Sequence, residues 1–222
     1  MSFVSTGFVL FVFLTTAIYY AIPQKFKWIV LLCASYAFYA LNNAKALVFI
    51  ILSTLISFLA AKKISSIDAE CEQKRSAVSD KTERKEIKNQ YKKFKKRYAV
   101  FGITACFLIL AVLKYTNFVV FNINAIFRTD ICMFKFILPL GISFYTFQVV
   151  SYLFDVYNGK YEAEQNIFHY ALYVSWFPSI LQGPISRYNE LRPQFFETEH
   201  HFSLENTQFA LQRILWGFLK KL

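Results

Sequence analysis

Glycine and proline are scarce, 6 and 5 in 222 residues. That excludes a collagen-like repeat, which needs glycine at every third position, and argues against a disordered low-complexity chain. Cysteine is also scarce: Cys33, Cys71, Cys106 and Cys132, with no C-x-x-C pair. A disulfide-stapled secreted domain, a zinc site and a redox pair are therefore not indicated. Histidine occurs 3 times. There is no glycine-rich phosphate loop and no G-x-S-x-G elbow. No internal repeat is visible, so the duplication common in transporters is not supported within these residues. Acidic residues are few as well, 14 against 25 Lys and Arg, for a net charge of +11. What abounds is apolar sequence, 56% of the chain with 19% aromatic and a mean hydropathy of +0.35.

The apolar residues come in blocks. Phe3 to Ile22 is 20 residues without a charge. At about 1.5 Å per helical residue such a run crosses a hydrocarbon core roughly 30 Å thick. Residues 28–44, 46–61 and 136–154 are also uncharged, 98–127 contain only Lys114, and 166–186 are interrupted only by His169. A helix apolar on every side has no face for water. Six such runs predict an all-α, polytopic transmembrane protein of about six spans plus the start of a further helix. The first run lacks a basic n-region and an A-x-A site, so it reads as an anchor and not a cleaved signal.

Charge sets the orientation. Residues 62–97 hold 13 Lys/Arg and 6 Asp/Glu. The positive-inside bias makes this loop cytoplasmic and the N-terminus external, in a multi-pass protein of the cell membrane. Three regions follow: spans at 1–61, a basic cytoplasmic segment at 62–98, and 99–222. Within the basic segment Ile87, Tyr91, Phe94 and Tyr98 recur at helical spacing among Lys88, Lys92, Lys93, Lys95, Lys96 and Arg97. This is a basic amphipathic helix, read as resting on anionic lipid headgroups. An acidic partner protein is the competing reading, and no nucleic-acid partner is expected.

Polar groups at membrane depth are costly and mark places of interest. Tyr145, Gln148, Tyr152 and Asp155 recur at i, i+3, i+7, i+10 in the fifth run. They make one stripe that must face protein or a wet cavity, either as a tunnel wall or as a hydrogen-bonded seam between helices. Pro139 and Gly141 fall in the expected first turn of that helix. The sixth run is broken by Pro178, Gly183 and Pro184, and Arg187 follows. An arginine beside broken backbone suits a phosphate or carboxylate, or else a lipid headgroup. Lys114 is expected to snorkel to the outer interface. His169 reads as interfacial, and His200 and His201 lack a third partner for a metal.

Three stretches carry a resemblance: Leu138-Pro-Leu-Gly-Ile-Ser-Phe-Tyr-Thr-Phe-Gln148, Ser151-Tyr-Leu-Phe-Asp-Val-Tyr-Asn-Gly159, and Phe177-Pro-Ser-Ile-Leu-Gln-Gly-Pro-Ile-Ser-Arg-Tyr188. They resemble the membrane-bound O-acyltransferases, in the branch of the alginate O-acetyltransferase membrane subunit, with teichoic-acid D-alanyltransferases as cousins. The segment 216–222 is similar to the next family segment, whereas the first three spans match only in layout.

The resemblance implies transfer of an acyl group, acetyl by expectation, across the membrane. The donor would be a cytoplasmic thioester, acetyl-CoA or an acyl-carrier phosphopantetheine, acting as co-substrate with no bound cofactor. The acceptor would be an extracytoplasmic glycan, or a partner acetyltransferase protein outside the membrane. Membrane lipids are the other expected partners. Tyr145, Gln148, Tyr152, Asp155, Gln182, Arg187 and Tyr188 are the candidate tunnel or substrate contacts. The family's general base is a histidine in a Trp/Gly-rich helix, and His169, His200 and His201 lack those surroundings. No catalytic residue is therefore assigned in this chain. The expectation is an N-terminal part, inactive by itself, whose base lies beyond Leu222. The competing functions are D-alanyl transfer to teichoic acid by the same fold, a polytopic glycan or lipid transporter, and a non-catalytic scaffold.

Overall fold

A computed structural model describes residues 5–78, 80–134, 138–180 and 185–220, and every regular element among them is helical. The helices are α1 (Thr6–Ala21), α2 (Lys27–Asn43), α3 (Leu47–Ala77), α4 (Lys81–Phe127), α5 (Ile142–Tyr157), α6 (Ile167–Ser175), α7 (Phe177–Ile180), α8 (Tyr188–Phe196) and α9 (Leu204–Leu219). Two helical stretches, Gln24–Ala77 and Lys81–Phe127, are long and apolar enough to cross a membrane, and Thr6–Ala21 is a shorter apolar helix.

The core is a three-helix packing of α3, α4 and α5. Small residues let the backbones approach. Ser53, Ser57, Ala60, Ala61 and Ile64 of α3 and Ala99, Gly102, Cys106 and Leu110 of α4 are all buried. A Cβ on Gly102 would stand 2.8 Å from the Ala60 Cβ and 3.1 Å from Leu153 Cδ1 of α5. In lipid, where apolar side chains gain little by leaving their surroundings, such close contact drives association. The buried hydroxyls of Thr54 and Ser57 cost little because they bond within their own helix: Thr54 Oγ1 donates to the Ile50 carbonyl at 2.7 Å, and Ser57 Oγ to that of Ser53 at 2.7 Å.

The outside of the bundle is apolar. Phe13, Leu14, Leu59, Phe101, Leu108, Phe118 and Ile126 are each at least 60% exposed. Apolar surface on this scale does not persist in water and marks a face covered by lipid or by further protein.

α3 and α4 form one helical hairpin that runs well past hydrocarbon depth. At about 1.5 Å per residue, α4 with its 47 residues is roughly 70 Å long. The positions 61/62 and 98/99 both lie inside continuous helix. The outer part of the hairpin is held by the Asp68–Lys95 ion pair and by Lys74 Nζ over the Tyr91 ring at 5.3 Å. It faces α3 with Ile87, Tyr91, Lys95 and Ala99, so Phe94 and Tyr98, placed on the apolar stripe by spacing alone, are exposed. The hairpin partner needed the small residue Ala99 and the ion-pairing Lys95 at the seam, which rotates the helix by about one position.

Two apolar runs differ from the spans expected of them. The fifth helix begins at Ile142, so Pro139 and Gly141 precede it, and it continues past Phe154 to Tyr157. Gly141 is its N-cap with φ +66°, and a Cβ there would lie 2.2 Å from the Ile180 carbonyl oxygen. The sixth run is not one crossing helix. α6 has 9 residues and α7 only 4, the break falling at Trp176, ahead of Pro178. Apolarity is necessary for a span but does not override proline and glycine.

Candidate functional site

The end of α5 nearest the basic hairpin gathers most of the buried polar chemistry. The loop from Asn158 to Asn166 turns against α3, where Ser65 Oγ accepts from the Ala163 amide at 3.5 Å. Asn166 then caps α6 through its side chain, which accepts from the Phe168 amide at 2.9 Å. α6 carries Tyr170 and Tyr173 inward, and α8 begins with Tyr188 facing the same interior.

Tyr152 is the centre of the cluster. Its ring lies 4.5 Å from Tyr170, 5.1 Å from Tyr188, 5.9 Å from Tyr161 and 6.1 Å from Tyr173, all between centroids. Each buried hydroxyl that has a partner ties the cluster to one or two neighbours. The Glu164 amide donates to Tyr152 Oη at 2.9 Å, and Tyr170 donates to Ser57 Oγ at 2.9 Å. Tyr173 donates to the carbonyls of Ser186 at 3.1 Å and Gln148 at 3.3 Å. Tyr188 donates to Glu164 Oε2.

Two carboxylates sit at the rim. Asp155, 3% exposed, meets Lys160 Nζ at 2.6 Å and Arg187 Nη1 at 3.9 Å. Arg187 itself is about half exposed, so its side chain is open to a ligand from the solvent side. Glu164 Oε1 accepts the amides of Gln165 and Asn166, each at 3.0 Å, and Arg192 Nε lies 3.5 Å from Oε2. Burial pushes the Glu164 carboxyl up. The Tyr188 hydroxyl, the Asn166 amide, His169 and the Gln165 amide outweigh it and leave the group below its usual value. A cavity of about 790 Å³ opens beside this rim between the hairpin and the 159–165 loop. Its charged lining is mixed, Lys62 and Lys95 against Asp68, Glu72 and Glu162.

The structure brings Tyr152, Asp155, Arg187 and Tyr188 together. Gln148 lies one turn further in, its Nε2 donating to the Tyr173 carbonyl at 2.9 Å and tying α5 to α6. Tyr145 lies nearer the start of α5, fully buried, and its hydroxyl has no hydrogen-bond partner among the described residues. Gln182, with Gly183 and Pro184, lies outside the described residues. His169 packs between Trp28, 4.8 Å away edge-on, and Phe196, stacked at 4.0 Å, with Nδ1 3.8 Å from Glu164 Oε1. His200 offers its carbonyl to Lys27 Nζ at 2.5 Å. Sequence reasoning missed Tyr161, Glu164, Tyr170 and Tyr173. The i, i+3 spacing of Tyr170 and Tyr173 was a usable signal, whereas the role of Glu164 comes entirely from tertiary neighbours.

Over 224 residues the chain is 31% identical to the probable alginate O-acetylase AlgI of Pseudomonas syringae pv. tomato, a match covering 98% of this chain and 39% of that protein. The chain belongs to the membrane-bound O-acyltransferase family. A family member from Helicobacter pylori, its peptidoglycan O-acetyltransferase, is 27% identical over 87% of this chain and 37% of its own length. The teichoic acid D-alanyltransferase of Lacticaseibacillus rhamnosus is 27% identical over 59% of this chain and 32% of its own. The chain thus spans about two fifths of the length of the curated relatives it matches. No family model and no solved structure matches it. As a member of this family, with two long apolar helical stretches, it is a membrane protein.

Proposed function

We propose that this chain is the N-terminal part of a membrane O-acyltransferase that passes an acetyl group from a cytoplasmic thioester donor to an extracytoplasmic polysaccharide or to a partner protein that acylates one. The observation that carries this reading is the match along 98% of the chain to an alginate O-acetylase. The geometry supports it at the Asp155–Arg187 rim. Positive-inside reasoning puts the basic hairpin in the cytoplasm, with a multi-pass chain and an external N-terminus. Arg187 is at that same end, where thioester donors carry their phosphates, and a planar guanidinium grips phosphate with two parallel hydrogen bonds. The Tyr145 hydroxyl, deeper along α5 and without a partner among the described residues, is a buried polar atom that a substrate or a water would satisfy. The family resemblance implies a histidine base, and we place it outside these 222 residues: His169 is held by two rings and Glu164.

The test is chemical. Deleting the gene in its host and measuring alkali-labile acetate on envelope polysaccharide should show a loss that the full-length gene restores. Unchanged acetate with a loss of ester-linked D-alanine would replace this reading with D-alanyl transfer. Unchanged esters of both kinds would sink acyl transfer altogether.

A further inference from the structure

Of the segment from Glu164 to Tyr188, residues 164–180 leave the basic end of the molecule and residues 185–188 are again beside it. α6 has 9 residues, which rise about 14 Å against a hydrocarbon core of roughly 30 Å. Past the break at Trp176, α7 carries the Ile180 carbonyl against Gly141 at the start of α5. By Ser186 the chain is again beside Tyr173, one residue later Arg187 is 3.9 Å from Asp155, and Tyr188 reaches Glu164. The two ends of the excursion therefore meet on one side chain.

We infer that Glu164 is the positioning residue that closes this re-entrant segment and so holds Arg187 at the basic end, through the Tyr188 hydroxyl. Its contacts divide between the two ends. Oε1 takes the amides of Gln165 and Asn166 at the outgoing end, at 3.0 Å each. Oε2 takes the Tyr188 hydroxyl and lies 3.5 Å from Arg192 Nε at the returning end. His169 Nδ1, 3.8 Å from Oε1, adds a contact from the first turn of α6. The carboxylate side chain is only 11% exposed, so these bonds form away from bulk water, where charge-assisted hydrogen bonds are strong. Tyr188 is adjacent to Arg187, so fixing the phenol fixes the guanidinium. Irregular backbone at membrane depth is tolerated only where it is buried in protein or lines a cavity, and bonds of this kind hold it there. The consequence for transfer rests on the acyltransferase reading; the closure itself does not.

The experiment uses the full-length protein in membranes, stripped of native cysteines, with single reporters. Glu162→Cys and Asn189→Cys, both at exposed positions, should react with an impermeant maleimide from the same face of the membrane. Labelling from opposite faces would mean that the segment crosses, and would overturn the inference. Ala171→Cys, a buried position in α6, reports closure. Tyr188→Phe keeps the ring and the fold while removing the hydroxyl, and should speed Ala171→Cys labelling five-fold or more. In a Glu164→Ala background the same Tyr188→Phe change should add nothing. An equal acceleration in both backgrounds, or none in either, shows that the two side chains do not act as a unit and the inference fails. Labelling needs no transfer assay, so loss of the acyltransferase reading would be seen separately, as unchanged envelope esters.

Discussion

At the scale of single residues, the buried polar groups fall into those tied to a neighbour and those facing the interior unpaired. Gln148 is tied: it donates to the Tyr173 carbonyl at 2.9 Å. Gln148→Leu leaves that carbonyl unsatisfied at about 1–3 kcal/mol. Folded yield and transfer should therefore fall together, measured as purified full-length protein and as acetate per unit protein. Tyr145 is the contrasting residue, since its buried hydroxyl has no partner among the described residues. Tyr145→Phe removes an unpaired group, so yield should hold or rise. If the hydroxyl meets substrate, transfer should drop several-fold; unchanged transfer would remove Tyr145 from the tunnel wall. Arg187 separates charge from fork. Arg187→Lys should weaken donor binding partly and Arg187→Gln by roughly 1.5–3 kcal/mol, with expression unchanged. Equal donor affinity in all three would assign Arg187 to the acceptor or to headgroups. Glu164 adds a pH dependence. Its carboxyl is held below the usual value, so its stabilisation is fully present above the unfolded pKa of ~4.3. That stabilisation is lost as pH falls through the lower folded value. Thermal melts of the detergent-solubilised protein should decline in that acid range, and Glu164→Gln should flatten the decline.

At the scale of elements, close backbone approach decides which helices can touch. Gly102 lets α3, α4 and α5 meet, since a Cβ there would stand 2.8 Å from the Ala60 Cβ. Gly102→Leu should destabilise by about 1–3 kcal/mol or more through overpacking. Gly141 is under two constraints at once, a left-handed φ of +66° and the Ile180 carbonyl 2.2 Å from any Cβ. Gly141→Ala should therefore cost more than an ordinary helix-cap change, read as lost folded yield by size-exclusion chromatography. A yield equal to the parent would show that the α5–α7 contact can relax. These glycines were visible in the sequence as breaks, yet their neighbours were not, because both contacts join residues more than 35 positions apart. The tyrosine stripe was more legible. Period and polarity placed Tyr145, Gln148, Tyr152 and Asp155 on one face of α5, and all four are buried.

At the scale of the whole molecule, orientation is a measurable quantity. The basic hairpin should be cytoplasmic. Cys71 is a poor reporter for it, since it is 8% exposed between α3 and α4 and burial pushes its thiol up. Gln73→Cys, at an exposed position on the same helix, should be protected from an impermeant maleimide in intact cells and labelled after lysis. Labelling in intact cells would reverse the orientation and with it the placement of Arg187 on the donor side.

The sequence by itself determined the class of molecule, because hydrophobic blocks, a basic loop and helix breakers act through local composition and need no partner. It determined the family through the stretches around Leu138–Gln148 and Phe177–Tyr188, and the shared face of α5 through a period of 3.6. Only the tertiary structure decided how the sixth run is used. A run of apolar residues has the same composition whether it forms one long helix or two short ones, and the structure breaks it at Trp176 and brings Tyr188 to Glu164. It likewise decided that Phe94 and Tyr98 face outward, since the seam of the hairpin is chosen by Ala99 and Lys95 fitting α3 and not by hydrophobicity alone.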